Sequence, residues 1–66
     1  KNMIVNGKVM NFKEEITIEE LLRNFHLDMD KVVVEVNLEI IAKEKYYEFV
    51  LNEEDKIEII SFVGGG

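Results

Sequence analysis

The dipeptide Asn6-Gly7 constrains this chain more than any other feature. It separates the apolar run Met3-Ile4-Val5 from Val9, Met10 and Phe12, which resume after Lys8. Both positions of a two-residue hairpin loop take positive φ, and asparagine followed by glycine accepts that best. The spacing predicts a β-hairpin with strands over about 2–6 and 9–13. Whatever follows must supply the layer that covers one face of that hairpin.

The next signal is the start of a helix. In Ile16-Thr17-Ile18-Glu19-Glu20-Leu21, Thr17 fits an N-cap and Glu20, three residues on, completes a capping box. Ile16 and Leu21 stand at the positions of a hydrophobic staple. Glu19 and Glu20 suit the positive end of the helix dipole. Ile18, Leu21, Leu22 and Phe25 recur at i, i+3, i+4 and i+7, an apolar stripe that faces a core. The helix should span about 18–26 and lay that stripe on a sheet.

Lys31 to Asn37 then reads as a strand, with Val32, Val34 and Val36 on one face and Val33, Glu35 and Asn37 on the other. A turn through Asn37-Leu38-Glu39 leads to a short strand at Ile40-Ile41. Lys43 to Tyr47 is a helical turn or an irregular connection, and Phe49, Val50 and Leu51 tuck beneath it. Tyr46 and Tyr47 read as amphipathic filler. Asn52 to Asp55 is an acidic turn, and Lys56 to Val63 is the last strand. Ile57 and Ile59 face the core if Lys56 and Glu58 face water. Strict alternation then places Ile60 and Phe62 on the solvent face, where exposed bulky groups suggest a docking patch together with Val63. A bulge near Ile60 would reverse the register and bury it.

The order is strand, strand, helix, strand, short strand, strand. It predicts an α+β roll, a mixed sheet of four to five strands packed on one main helix, in the β-grasp arrangement that ubiquitin-like domains share. The strand after the helix should return beside the first strand. Residues 1–63 form one domain. Residues 64–66 form a flexible tail, because three consecutive glycines have no side chain to pack and lose the most backbone entropy on ordering.

A domain of 66 residues buries roughly 60% of its unfolded surface, and without cysteine its stability must come from packing. Fourteen Asp and Glu against eight Lys and Arg give a net charge of −6, which argues against nucleic acid as a partner. No apolar run approaches the roughly 20 residues of a membrane span, and no leader pattern is visible, so a cytoplasmic, membrane-free location is expected.

Internal chemistry is sparse. There is no cysteine nucleophile and no partner set for His26, which reads as structural near the helix C-terminus. Ser61 lacks a G-x-S-x-G context. Asp28 with Asp30, and Glu53-Glu54-Asp55, carry the oxygen ligands that hard cations take but not the spacing of an EF-hand loop, and read as solvated turns. No catalytic residue, metal site or bound cofactor is expected. The distinctive group is the α-carboxylate of Gly66. A tail without side chains can be threaded into a narrow channel on a partner.

These residues resemble the ThiS family, the sulfur carriers of thiamine biosynthesis. The resemblance rests on Ile4-Val5-Asn6-Gly7-Lys8, on Thr17-Ile18-Glu19-Glu20-Leu21-Leu22 and on Val34 to Ile41. It rests most specifically on Asp55 to Ile60 leading through Phe62-Val63 to Gly64-Gly65-Gly66. The terminal Gly-Gly carries the specificity, and Gly64 lengthens it by one. The resemblance implies a carrier rather than an enzyme. Gly66, next to Gly65, would be adenylated by a ThiF-like enzyme that uses ATP. A sulfur-donating enzyme such as a cysteine desulfurase would feed its conversion to a thiocarboxylate, and thiazole synthase would receive the sulfur. Ile60, Phe62 and Val63 would then help to dock those partners. The alternatives are a MoaD-type carrier subunit of molybdopterin synthase and a ubiquitin-like modifier joined to lysines.

Overall fold

The structure, a computed structural model, describes residues 1–62. Strands β1 (Asn2–Val5) and β2 (Lys8–Asn11) form the opening hairpin, with Val5 opposite Lys8 and only Asn6-Gly7 between them. Asn6 and Gly7 take φ of 50° and 83°, the left-handed pair that this loop requires.

A two-residue strand β3 (Ile16–Thr17) leads into helix α1 (Ile18–Asn24). The capping box forms as the sequence predicts. The Glu20 amide donates to Thr17 Oγ1 at 3.2 Å, and the Thr17 amide donates to Glu20 Oε1 at 2.9 Å. Ile18, Leu21 and Leu22 are buried, and Phe25 packs against the core's edge. The helix stops two residues before the expected end because His26 adopts φ 59°. Its amide bonds to the Arg23 carbonyl and that of Leu27 to the Leu22 carbonyl, so the chain closes in a Schellman turn with histidine where glycine is usual.

After a 3₁₀ turn at Met29–Lys31 come β4 (Val32–Val36) and β5 (Glu39–Ile40). A second 3₁₀ turn covers Lys43–Lys45, followed by β6 (Val50–Leu51) and β7 (Lys56–Ser61). Strand β5 starts one residue earlier than expected because Asn37-Leu38 alone makes the turn, with Val36 opposite Glu39.

The main sheet runs β2-β1-β7-β4-β5, with β1 and β7 parallel and the other pairs antiparallel. This is the mixed sheet over one helix that the sequence predicts. The strand after the helix does not, however, lie beside the first. Strand β7 stands between β1 and β4 and pairs with both, burying Ile57 and Ile59 on the inner face. The sequence reading also missed the separate pair of β3 and β6, in which Ile16 meets Leu51 and Thr17 meets Val50. Of the Phe49–Leu51 run, only Leu51 is fully buried, while Phe49 is half-buried and Val50 exposed.

The core lies between α1 and one face of the sheet. Met3, Ile18, Leu21, Leu22, Val34, Leu51 and Ile57 are its innermost members, each contributing about 1.5–3 kcal/mol by burial. Tyr46, read as filler, is also buried there, whereas Tyr47 is exposed. Burial raises the Tyr46 phenol above its ordinary pKa, against smaller opposing effects of the Val34 backbone and Lys43.

Candidate functional site

Strand β7 aims the C-terminal end of the described chain, and two turn asparagines hold it. On one side, the Asn6 amide donates to the Ile57 carbonyl at 2.9 Å, and Asn6 Oδ1 accepts from the Ile59 amide at 2.8 Å. On the other side, the Asn37 amide donates to the Lys56 carbonyl at 2.8 Å, and Asn37 Oδ1 accepts from the Lys56 amide at 3.0 Å. Asn37 Nδ2 also reaches Asp55 Oδ1 at 2.9 Å, while Asp55 Oδ2 accepts from the Asn52 amide at 2.7 Å. The Asn52–Asp55 turn is therefore a strand anchor as well as a solvated surface. The same two residues that give the hairpins their left-handed turns thus fix the register of β7. Asparagine is well suited to both tasks, since its short amide tolerates positive φ and carries a donor and an acceptor.

That register decides which way Ile60 points. The pairs run unbroken from Val36 opposite Ile57 to Val32 opposite Ser61, with no bulge. Ile57 and Ile59 are buried. Ile60 and Phe62 stand on the outer face at 48% and 49% exposure, as strict alternation predicts. The Phe62 amide donates to the Lys31 carbonyl at 3.1 Å, tying the strand's exit to the edge of β4. His26, Lys31, Val32 and Ser61 lie around Phe62 at the rim of a shallow hollow. Val63, Gly64, Gly65 and Gly66 lie outside the described residues.

The other side chains considered for chemistry do not converge. Among the described residues no group of three His, Asp or Glu could hold a metal ion, and no buried side-chain polar atom lacks a partner. Asp28 caps its own 3₁₀ turn by accepting from the Asp30 amide at 2.9 Å, and Asp30 pairs with Lys43 at 2.8 Å. That hydrogen bond, with the nearby carboxylates, holds the Lys43 ammonium above its ordinary pKa. These acidic groups therefore pin one 3₁₀ turn to the other. No described helix is long and apolar enough to cross a membrane.

The arrangement is a rigid strand that presents two apolar side chains just before a glycine-ended segment. The ThiS family model matches residues 3–66, which takes in the whole fold and that segment. The chain belongs to the ThiS family. This is the family of the thiamine-biosynthesis sulfur carriers. Sulfur carrier protein ThiS of Bacillus subtilis strain 168 is 48% identical over 63 residues, which cover 94% of this chain and 96% of that protein. The crystal structure of the thiamine biosynthesis protein ThiS from Geobacter metallireducens superposes with a TM-score of 0.84 at 30% identity, each chain fully covered. The β-grasp reading holds at that level of detail. A thiazole synthase of Paramagnetospirillum magneticum strain AMB-1 is 44% identical over 64 residues, but this chain spans only 20% of that protein's length.

Proposed function

We propose that this ThiS-family chain carries sulfur on the carboxylate of Gly66 for formation of the thiazole ring of thiamine. The observation that carries the reading is the family match extending through Gly66, with 48% identity to the Bacillus carrier over 96% of that protein. A carboxylate is a poor electrophile. Attack of its oxygen on the α-phosphorus of ATP, in a ThiF-like partner, releases pyrophosphate and leaves an acyl-adenylate. The terminal sulfur of a persulfide, charged by a cysteine desulfurase or a similar donor, then displaces AMP to give an acyl disulfide, and a thiol attacks the donor-side sulfur of that bond, forming a disulfide there and releasing the thiocarboxylate. Thiazole synthase receives that sulfur, and the occurrence of a related stretch within chains named thiazole synthase supports this partner. On this reading the chain is substrate and carrier, ATP binds to the partner, and the work is done in the cytoplasm. Glycine at the last positions suits the task, because no Cβ obstructs a close approach of backbone to the partner's catalytic groups. Ile60 and Phe62, with Val63 beyond them, supply apolar docking contacts.

The test combines the chain with the adenylating enzyme, ATP and a sulfur donor and reads intact mass. A gain equal to the exchange of one oxygen for sulfur, absent when Gly66 is deleted, is the expected result. No mass change with an active enzyme overturns the reading, and a ladder of conjugates replaces it with a protein modifier.

A further inference from the structure

Asn6 is the only one of the chain's six asparagines that a glycine follows. That pair carries a chemistry of its own. The Gly7 amide nitrogen can attack Asn6 Cγ and close a cyclic imide, and the bareness of glycine is what lets the nitrogen approach. Both residues are exposed, and a Cβ built at Gly7 would meet nothing within 4 Å, so water reaches the turn. Asn6 Nδ2, the nitrogen that would leave, makes no hydrogen bond among the described residues. Asn6 Oδ1, by contrast, is held by the part-buried Ile59 amide at 2.8 Å. While that bond stands, the side-chain carbonyl is committed to β7. Asn37 is a built-in comparison. It makes a left-handed turn at φ 52°, and its Oδ1 likewise accepts from β7, at the Lys56 amide. Its Nδ2, however, is bonded to Asp55 Oδ1 at 2.9 Å, and the residue that follows it is Leu38, whose side chain shields the attacking nitrogen.

We propose that Asn6-Gly7 is a site of spontaneous deamidation, gated by the clamp of Asn6 on Ile59. When Asn6 Oδ1 releases the Ile59 amide, the Gly7 nitrogen gives up its proton and attacks Asn6 Cγ. The N–Cγ bond forms, the Cγ–Nδ2 bond breaks, and Nδ2 takes up a proton and leaves as ammonia. Water then adds to one of the two imide carbonyls and the ring opens. Opening at Cγ leaves an aspartate at position 6. Opening at the main-chain carbonyl leaves an isoaspartate, in which the main chain runs through Cβ and Cγ. The two products differ at the clamp. Aspartate keeps an acceptor for the Ile59 amide. Isoaspartate adds an atom to a loop that has Val5 opposite Lys8 and only two residues between them. The carbonyl that served Ile59 becomes part of the main chain, and the Ile59 amide loses its acceptor. The modification thus loosens β7, the strand that leads to the terminus, along its β1 side. It does so in chains whose first turn has already come away from β7.

Incubation of the full chain at neutral and alkaline pH, folded and in denaturing guanidinium chloride, followed by digestion after lysine and mass spectrometry, tests it. The peptide of residues 2–8 should gain the mass of an NH2-to-OH exchange, placed at Asn6 by fragmentation. The gain should come faster as pH rises, and an isoaspartyl methyltransferase should label part of the product. The peptide of residues 32–43, which holds Asn37, should stay unchanged over the same time. The folded chain should react about tenfold more slowly than the unfolded one, the factor that one hydrogen bond opposing local opening supplies. The isolated isoaspartyl chain should melt about 4–8 °C below wild type, and also below the Asn6→Asp variant, which has the sequence of the other product. A folded chain that reacts as fast as the unfolded one overturns the gate. A folded chain that stays unreacted after the unfolded one is converted, or no change at Asn6 in either state, overturns the site. An isoaspartyl chain that melts with wild type overturns the loosening of β7.

Discussion

Asn6 shows how one side chain can be both local punctuation and long-range structure. Its φ of 50° makes the first hairpin, and its Oδ1 takes the Ile59 amide from a strand 53 residues on. Glycine at position 6 would keep the turn but leave that part-buried amide without an acceptor. Asn6→Gly is therefore expected to cost about 1–3 kcal/mol, at roughly 4–8 °C of Tm per kcal/mol for a domain of this size. Asn6→Asp retains an acceptor and should lose less. Equal melting temperatures for the two variants and wild type would show that the bond to Ile59 contributes nothing. Tyr46 offers a second test at this scale. Because burial raises its folded-state pKa above 10.0, the fold retains the phenol proton longer than the unfolded chain does. The resulting stability is fully present below pH 10.0 and is lost as pH rises through the folded value. The raised Lys43 ammonium acts in the same direction above pH 10.5. Melting temperature measured from about pH 8 to about pH 11 should fall over the alkaline part of that range, and less steeply for Tyr46→Phe. Parallel curves for the two proteins would remove Tyr46 as a cause.

At the scale of elements, what could be read from sequence was whatever has a local cause. The Asn6-Gly7 hairpin, the Thr17-Glu20 capping box and the valine alternation of β4 each follow from residues within a few positions of one another. The pairing of β3 with β6 was not legible, because each strand is two residues long and makes its hydrogen bonds only across a separation of more than 30 residues. Thr17 also serves two elements at once, pairing with Val50 and capping α1, so its helix signal masked its strand role. The end of α1 was overestimated because histidine rarely announces a left-handed C′ position, although it tolerates one. The central place of β7 was likewise hidden. Its register depends on Asn6 and Asn37, whose sequence signal is only that of a turn. The turn signals themselves were plain, and what each asparagine side chain would reach could be known only once the strands were placed. The outward placement of Ile60 and Phe62 was legible because period-two alternation needs no partner strand to be stated, only the absence of a bulge.

At the scale of the whole molecule, the sheet has two unlike faces. The inner face and α1 enclose a core whose last member among the described residues is Ile59. The outer face carries Ile60 and Phe62 near one end and Leu38 and Ile40 near the other, with Glu35 and Glu58 between. Folding therefore draws on one face, which leaves the other free to meet partners. Changes on the outer face should separate the two functions of the sequence. Ile60→Thr keeps the β-branched shape that a central strand favours, and Phe62→Ser lies just beyond the strand, so the pair should shift stability by no more than about 1 kcal/mol. If these side chains anchor the adenylating enzyme, removing them should raise the KM for the carrier at least tenfold, the loss expected for an apolar hot spot. The same pair should leave kcat near the wild-type value, because the carboxylate of Gly66 is untouched. Steady-state release of pyrophosphate at varied carrier concentration measures both constants. A lowered kcat at unchanged KM would place Ile60 and Phe62 in positioning the tail for reaction rather than in docking, and unchanged constants would remove them from the interface altogether.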